Sequence, residues 1–267
     1  MKILLTNDDG VISQGIQTLS KMLNEKDWLA AVVAPDRERS GIGHAVTVDR
    51  PLRARPLDPG MFASSVPAFS CDGTPSDCVI VGLDVLCPSA DFVVSGINNG
   101  PNLSDDVTIS GTVCAAMESV MSGRPAIAVS LCIERGENFE HNTTAALAAM
   151  AVIGYIEQNP LPSGVMLNIN VPNDLLKNIK GFKITHRGIR KYLDRVTCIK
   201  TPFGDDVYWI AGNRQDNTEE GTDVTAVNEG YISVTPLQLD MTQYDLVVEM
   251  RLQELDKKLG RSLNMIR

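Results

Sequence analysis

Met1-Lys2-Ile3-Leu4-Leu5-Thr6-Asn7-Asp8-Asp9-Gly10 opens the chain as a short apolar run that ends abruptly in two adjacent carboxylates and a glycine. Ile3, Leu4 and Leu5 read as a strand buried on both faces of a parallel sheet, and Gly10 permits a sharp turn behind it. Ligands of open α/β sheets bind outside the carboxyl ends of the strands, where Asp8 and Asp9 fall. Neighbouring carboxylates repel and need a cation or a basic partner. No Lys or Arg lies close in sequence except Lys2, at the far end of the strand. Such hard oxygen donors suit Mg²⁺ or Mn²⁺. The same pattern also fits a solvated turn with one Asp capping the helix that follows.

Outward from this stretch, strands and helices alternate. Ile16, Leu19, Met22 and Leu23 form one helical face, and Leu29 to Ala34 is a second strand stopped by Pro35. Thr74-Pro75 with Asp77 carries the capping residues of a helix start. Residues 91–95 and 126–131 read as buried strands, 113–122 and 143–158 as helices. The alternation predicts an α/β fold with a mostly parallel, Rossmann-like sheet flanked by crossover helices. Past about Pro172 the pattern changes to strands over 182–185, 195–200, 207–211 and 231–234. Residues 201–206 supply the tip of an extended hairpin. A last helix is expected over 243–259, with Thr242 and Asp245 as a capping box and Val248, Leu252, Leu255 and Leu259 as a narrow apolar stripe. The expected division is a Rossmann-like metal- and phosphate-binding core over 1–175 and, over 176–267, a hairpin arm and terminal helix that serve oligomerisation or pack on the chain's own core.

Composition narrows the function classes. With 267 residues and 43% hydrophobic content the chain can bury a substantial core. Thirty-three acidic against 24 basic residues give a net charge of −9, which argues against a long nucleic acid as partner. Cys71, Cys78, Cys87, Cys114, Cys132 and Cys198 contain no C-x-x-C pair and read as reduced thiols. The N-terminus lacks the pattern of a signal peptide, and the apolar run from Ala145 to Ile156 is too short to span a bilayer. No membrane association is expected, and the expected compartment is the cytoplasm.

Three further segments fall at strand ends. The loop Pro35-Asp36-Arg37-Glu38-Arg39-Ser40-Gly41-Ile42-Gly43-His44 lacks the third glycine of a dinucleotide fingerprint and follows the wrong strand for one. Ser40 offers an oxygen ligand or a phosphate contact, or is a plain loop serine. Ser95-Gly96-Ile97-Asn98-Asn99-Gly100-Pro101-Asn102 leads a buried strand into three asparagines, which serve tight turns or give neutral carbonyl ligands. Ser110-Gly111-Thr112 precedes a helix, where backbone N–H groups, hydroxyls and the helix dipole cradle phosphate or simply cap.

These motifs, taken in order, resemble the SurE family of survival proteins. The resemblance rests on Thr6-Asn7-Asp8-Asp9-Gly10, Ala34-Pro35-Asp36 through Ser40-Gly41, Gly73-Thr74-Pro75-Ser76-Asp77-Cys78-Val79 and Val94-Ser95-Gly96-Ile97-Asn98. Ser110-Gly111-Thr112-Val113 with Ala115-Ala116-Met117-Glu118, Gly221-Thr222-Asp223 and Ser233-Val234-Thr235-Pro236-Leu237 extend it through nearly the whole chain. It implies a metal-dependent phosphomonoesterase, a 5'-nucleotidase acting on nucleoside 5'- or 3'-monophosphates. One divalent ion per subunit, Mg²⁺ or Mn²⁺, falls on Asp8, Asp9, Ser40 and Asn98. Phosphate-side residues fall on Asn102, Ser110, Gly111 and Thr112, with Asp8, Asp9 and Ser110 as the catalytic set. A homodimer or homotetramer with an exchanged hairpin is also implied. Ile109 departs from the Tyr or His common before this serine, and Ile12-Ser13-Gln14 departs from the usual pattern after Gly10-Val11.

Two other acidic-pair chemistries fit less well. Haloacid dehalogenase-type phosphatases resemble D-x-D at the first strand, whereas these carboxylates are adjacent. A signalling receiver needs a phosphoacceptor Asp at a later strand end, where this chain has Ser95-Gly96-Ile97-Asn98. A nucleotide-binding regulatory protein without turnover is the alternative to the enzyme.

Overall fold

A computed structural model describes residues 1–58, 60–62, 66–133, 137, 140–210, 212–254 and 257. From the N-terminus, β1 (Ile3–Thr6), α1 (Gln14–Glu25), β2 (Leu29–Pro35), β3 (Ala54–Pro56), β4 (Ala68–Cys71) and α2 (Pro75–Val81) follow in turn. Next come β5 (Phe92–Asn99), α3 (Gly111–Met121), β6 (Ala126–Cys132), α4 (Asn142–Gln158) and β7 (Val165–Pro172). The remainder holds β8 (Phe182–Ile184), β9 (Arg190–Leu193), β10 (Val196–Lys200), β11 (Asp206–Ile210), β12 (Asn213–Asp216), α5 (Asp223–Asn228), β13 (Ile232–Gln238) and α6 (Tyr244–Leu252).

The main sheet has the order β3-β4-β2-β1-β5-β6-β7-β13-β8. Pairings of β1 with β2 and β5, and of β5 with β6 and β6 with β7, are all parallel, as the strand–helix alternation predicts. The chain moves outward from β1 through β2 to one side, then returns to place β5 on the other. That reversal makes β1/β5 the switch point, where a crevice opens at the carboxyl ends of the strands.

Alternation along β1 explains the layers. Ile3 and Leu5 face the side covered by α1 and α4, whereas Leu4 faces α2 and α3. Because β1 is buried on both faces, each of these side chains contributes about 1.5–3 kcal/mol by leaving water. Gly15 lets α1 lie against the end of β5: a Cβ there would stand 2.2 Å from the Ile97 carbonyl oxygen. The Thr74 capping box is present, with Thr74 Oγ1 accepting from the Asp77 amide at 3.1 Å and Asp77 Oδ2 accepting from the Thr74 amide at 2.8 Å.

β8 and β13 extend the same sheet beyond residue 175, and β10 and β11 form the expected hairpin, with Lys200 opposite Asp206 across its tip. The expected strand end at Ala211 lies outside the described residues. β9 pairs with β12 to make the root of this arm. The described residues from Gln238 onward belong to a unit of their own. There α6 begins one residue later than the capping box predicts: Asp240 takes the Thr242 amide at 2.9 Å, and Gln243 caps the Asp245 amide at 3.0 Å. Its stripe keeps Val248 and Leu252 exposed, while Leu255 and Leu259 lie outside the described residues.

Gly15→Ala must push α1 off the Ile97 carbonyl, so it destabilises the protein by about 1–3 kcal/mol. A fall in the urea midpoint with an unchanged m-value is the expected reading; an unchanged midpoint would show that the contact yields freely.

Candidate active site

Asp8 and Asp9 emerge at the switch point, Asp8 buried and Asp9 partly so. Burial lifts the Asp8 carboxyl above its ordinary range, against the pull of its hydrogen bond from Thr112. Burial, with the Asp8 charge next, pushes Asp9 up to about 7. Glu38 and Glu140 add further negative field to Asp9. Among the described residues no Lys, Arg or His forms an ion pair with either carboxylate.

The N-terminus of α3 is pressed onto Asp8. The Thr112 hydroxyl donates to Asp8 Oδ1. A Cβ on Gly111 would stand 2.9 Å from the Asp8 Cβ and 3.1 Å from its Oδ2, so only glycine fits. Ser110 caps the helix, its Oγ accepting from the Val113 amide at 3.1 Å, which leaves its own O–H free to donate. The positive end of an 11-residue helix and the Thr112 hydroxyl thus meet Asp8 at one point, with Ser110 capping the same helix start.

Neighbouring loops close around it. The Arg39 amide donates to the Asp8 carbonyl at 2.8 Å, which brings the preceding loop and Ser40 alongside. Ser40 is exposed, and its hydroxyl donates to Glu38 Oε1 at 2.7 Å. Gly43 donates its amide to the Ile109 carbonyl at 2.9 Å, and His44 pairs with Glu118 on α3 at 2.9 Å. The Asn99 amide donates to Asp9 Oδ2 at 2.9 Å. Asn98 spends its Nδ2 on the Gly100 carbonyl at 2.7 Å, which leaves its Oδ1 as the atom available to a cation. Beside Asp9 opens a cleft of about 440 Å³ whose lining includes Glu38, Asn99, Glu140 and Asn142.

Asn102 has a different setting from the other sequence-derived residues. It is buried, with Nδ2 on Ser130 Oγ at 2.8 Å, and its backbone is gripped by Asn168 and Asn170 of β7. Asn168, Asn170, Glu38 and Glu140 have no role in the sequence reading. The N-x-N spacing in β7 carried a signal, since it sets both amides on one face of a strand.

A family model described as Survival protein SurE matches residues 3–194. The chain belongs to the SurE family. A relative named 5'/3'-nucleotidase SurE from Yersinia enterocolitica is 46% identical over 247 residues, covering 91% of this chain and 94% of the relative. One named 5'-nucleotidase SurE from Synechococcus elongatus is 41% identical over 260 residues, covering 94% and 98% respectively. The crystal structure of the SurE protein from Aquifex aeolicus superposes with a TM-score of 0.81 at 40% identity, covering 95% of this chain and all of that one. The fold expected from the sequence is therefore confirmed at both levels.

In this SurE-family chain the acidic pair has a measurable consequence for stability. Asp9 holds its proton to about 7 when folded but releases it near 3.8 when unfolded. Between those values the folded state binds more protons, so its stability falls as pH rises, and the whole penalty is present above about 7. Asp9→Asn removes that penalty. In EDTA the variant is expected to match the parent near pH 4 and to exceed it by about 1–3 kcal/mol at pH 8 in denaturant unfolding. Equal stability at pH 8 would contradict the desolvated setting of Asp9.

Proposed function

We propose that this protein is a metal-dependent 5'-nucleotidase that hydrolyses nucleoside monophosphates to nucleoside and phosphate. The observation that carries this reading is a desolvated acidic pair without a basic partner among the described residues, pressed against a helix N-terminus, in a SurE-family chain. A phosphate beside two carboxylates is repelled unless a cation lies between them. The donor set fits such a cation: two carboxylates, the Asn98 carbonyl oxygen and the Ser40 hydroxyl are hard oxygens of the kind Mg²⁺ and Mn²⁺ take. Asp8, Asp9, Ser40 and Asn98 would hold one ion per subunit.

A divalent ion held there supplies Lewis acidity and charge neutralisation at the phosphoryl group. Ser110 donates its O–H to an equatorial phosphoryl oxygen while the amides of Gly111 and Thr112 offer N–H groups. Thr112 also keeps Asp8 in one rotamer through its hydroxyl. Asn102 fixes the loop between β5 and α3 through its buried amide contacts, and the second N–H of its Nδ2, beside the one given to Ser130 Oγ, is the donor it has left for a phosphate oxygen. In-line attack by water then meets a phosphoryl group already oriented by the chain. Nothing observed favours the alternative of nucleotide binding without turnover.

The arm supports a homodimer or homotetramer. Phe203, Tyr208, Trp209 and Ile210 are exposed at 92, 65, 64 and 78% on a hairpin with little core of its own. The exchanged-arm module over 176–267 and a cytoplasmic location are part of the same reading; the reduced, disulfide-less cysteines fit a reducing compartment. Among the described residues no helix is long and apolar enough to cross a membrane.

Phosphate release from a panel of nucleoside 5'- and 3'-monophosphates, with Mg²⁺, Mn²⁺ or EDTA, tests the assignment. Release should require the metal, and Asp8→Asn and Asp9→Asn should each lower kcat/KM by about 10²–10³-fold. Gly111→Ala should lose activity by about tenfold or more through the displaced Asp8. Metal-independent turnover, or full activity in Asp9→Asn, would sink it.

A further inference from the structure

The segment that delivers Ser110 is tied to the root of the arm by a buried arginine. Arg190, in β9, has a side chain only 2% exposed. Its Nη1 donates to Asp106 Oδ2 at 2.6 Å, and its Nε and Nη2 fork onto Asp216 Oδ1 and Oδ2 at 2.6 and 2.8 Å. Its backbone amide donates to Asp105 Oδ2 at 3.0 Å. Tyr192, on the same strand, donates its hydroxyl to the Asp106 carboxylate at 2.6 Å. The Asp106 carbonyl in turn accepts the Ser110 amide at 3.1 Å. One residue therefore separates the buried guanidinium from the phosphate-side serine.

A second fastening acts on the same turn. Ser104 has a left-handed backbone, φ 55°, uncommon for a residue with a side chain. Asp223, fully buried, accepts its amide at 2.8 Å and the Gly188 amide at 2.9 Å. Gly188 packs closely there: a Cβ would stand 2.9 Å from the Ser104 Oγ, which would have to turn aside.

We propose that Arg190 is a positioning residue for the phosphate cradle: with Asp223 it clamps residues 104–109 so that Ser110 and the first turn of α3 face the acidic pair in one geometry. Burying an arginine between two aspartates stabilises little overall, because desolvation offsets the attraction, but it specifies geometry. A forked, planar guanidinium holds both Asp106 and Asp216; an ammonium cannot reach both in the same way. The role in turnover rests on the phosphatase reading above, whereas the clamp itself does not.

The test uses the full chain with Mn²⁺ and compares Arg190→Lys, Arg190→Met and Tyr192→Phe with the parent. Tyr192→Phe removes a single partly exposed hydroxyl and keeps the comparison available where Arg190→Met fails to fold. Expected are a fall in kcat of about tenfold for Arg190→Lys and less for Tyr192→Phe, with KM within threefold and Mn²⁺ affinity within twofold, because Asp8 and Asp9 lie outside the clamped turn. In a Ser110→Ala background Arg190→Lys should lose most of its effect, as expected of a residue acting through Ser110. Amide hydrogen exchange over 104–110 should speed up, and orthophosphate affinity with Mn²⁺ should weaken; neither needs turnover. A parent that hydrolyses none of the monophosphates would sink the phosphatase reading and leave those two measurements to decide the clamp. Unchanged exchange, kinetics equal to the parent, or full additivity with Ser110→Ala would each overturn the proposal.

Discussion

Gly111 lies against Asp8 so closely that no side chain can stand between them, and the Thr112 hydroxyl completes the contact. This approach fixes much else. It sets where α3 begins, hence where Ser110 and its free hydroxyl sit. It requires the chain to return from β5 beside β1, since only neighbouring strands can bring residues 8 and 111 together. It also explains why the loop from Asn98 to Ser110 is tied down so heavily, with Asn168, Asn170, Asp223 and Arg190 each bonded into it.

The acidic pair is sustained by a scaffold that gains nothing from it directly. Two carboxylates in a poorly solvated crevice oppose folding, and the sheet beneath them offsets this with strands whose side chains are almost wholly buried. Burial and charge therefore pull in opposite directions at Asp8 and Asp9, a tension of the kind found where charges are gathered to act on a ligand.

Legibility in sequence followed burial. Leu29–Pro35, Phe92–Asn99 and Ala126–Cys132 are buried on both faces and so show as apolar runs ending in polar loops, and each loop proved to border the crevice or lie near it. β7 carries Asn168 and Asn170 inside its buried run, and these amides hid the strand while serving the site. β9 and β12, Arg-Lys-Tyr-Leu and Asn-Arg-Gln-Asp, have no alternation because the arm they root has no core on either side. Thr112 reads as a helix-start threonine, and only the folded chain shows that its hydroxyl turns back to Asp8.

The Asp8–Thr112 hydrogen bond joins residues 104 positions apart. On a ribosome adding about 5–20 residues per second, the acidic pair is made roughly 5–20 s before the helix start that shelters it. Until β5 and then α3 emerge, the first strand lacks first its partner on the β5 side and then the helix start that rests on Asp8. The nascent N-terminal part therefore waits with its acidic pair uncovered until α3 is made, and β6, β7, β8 and β13 join the sheet only after that.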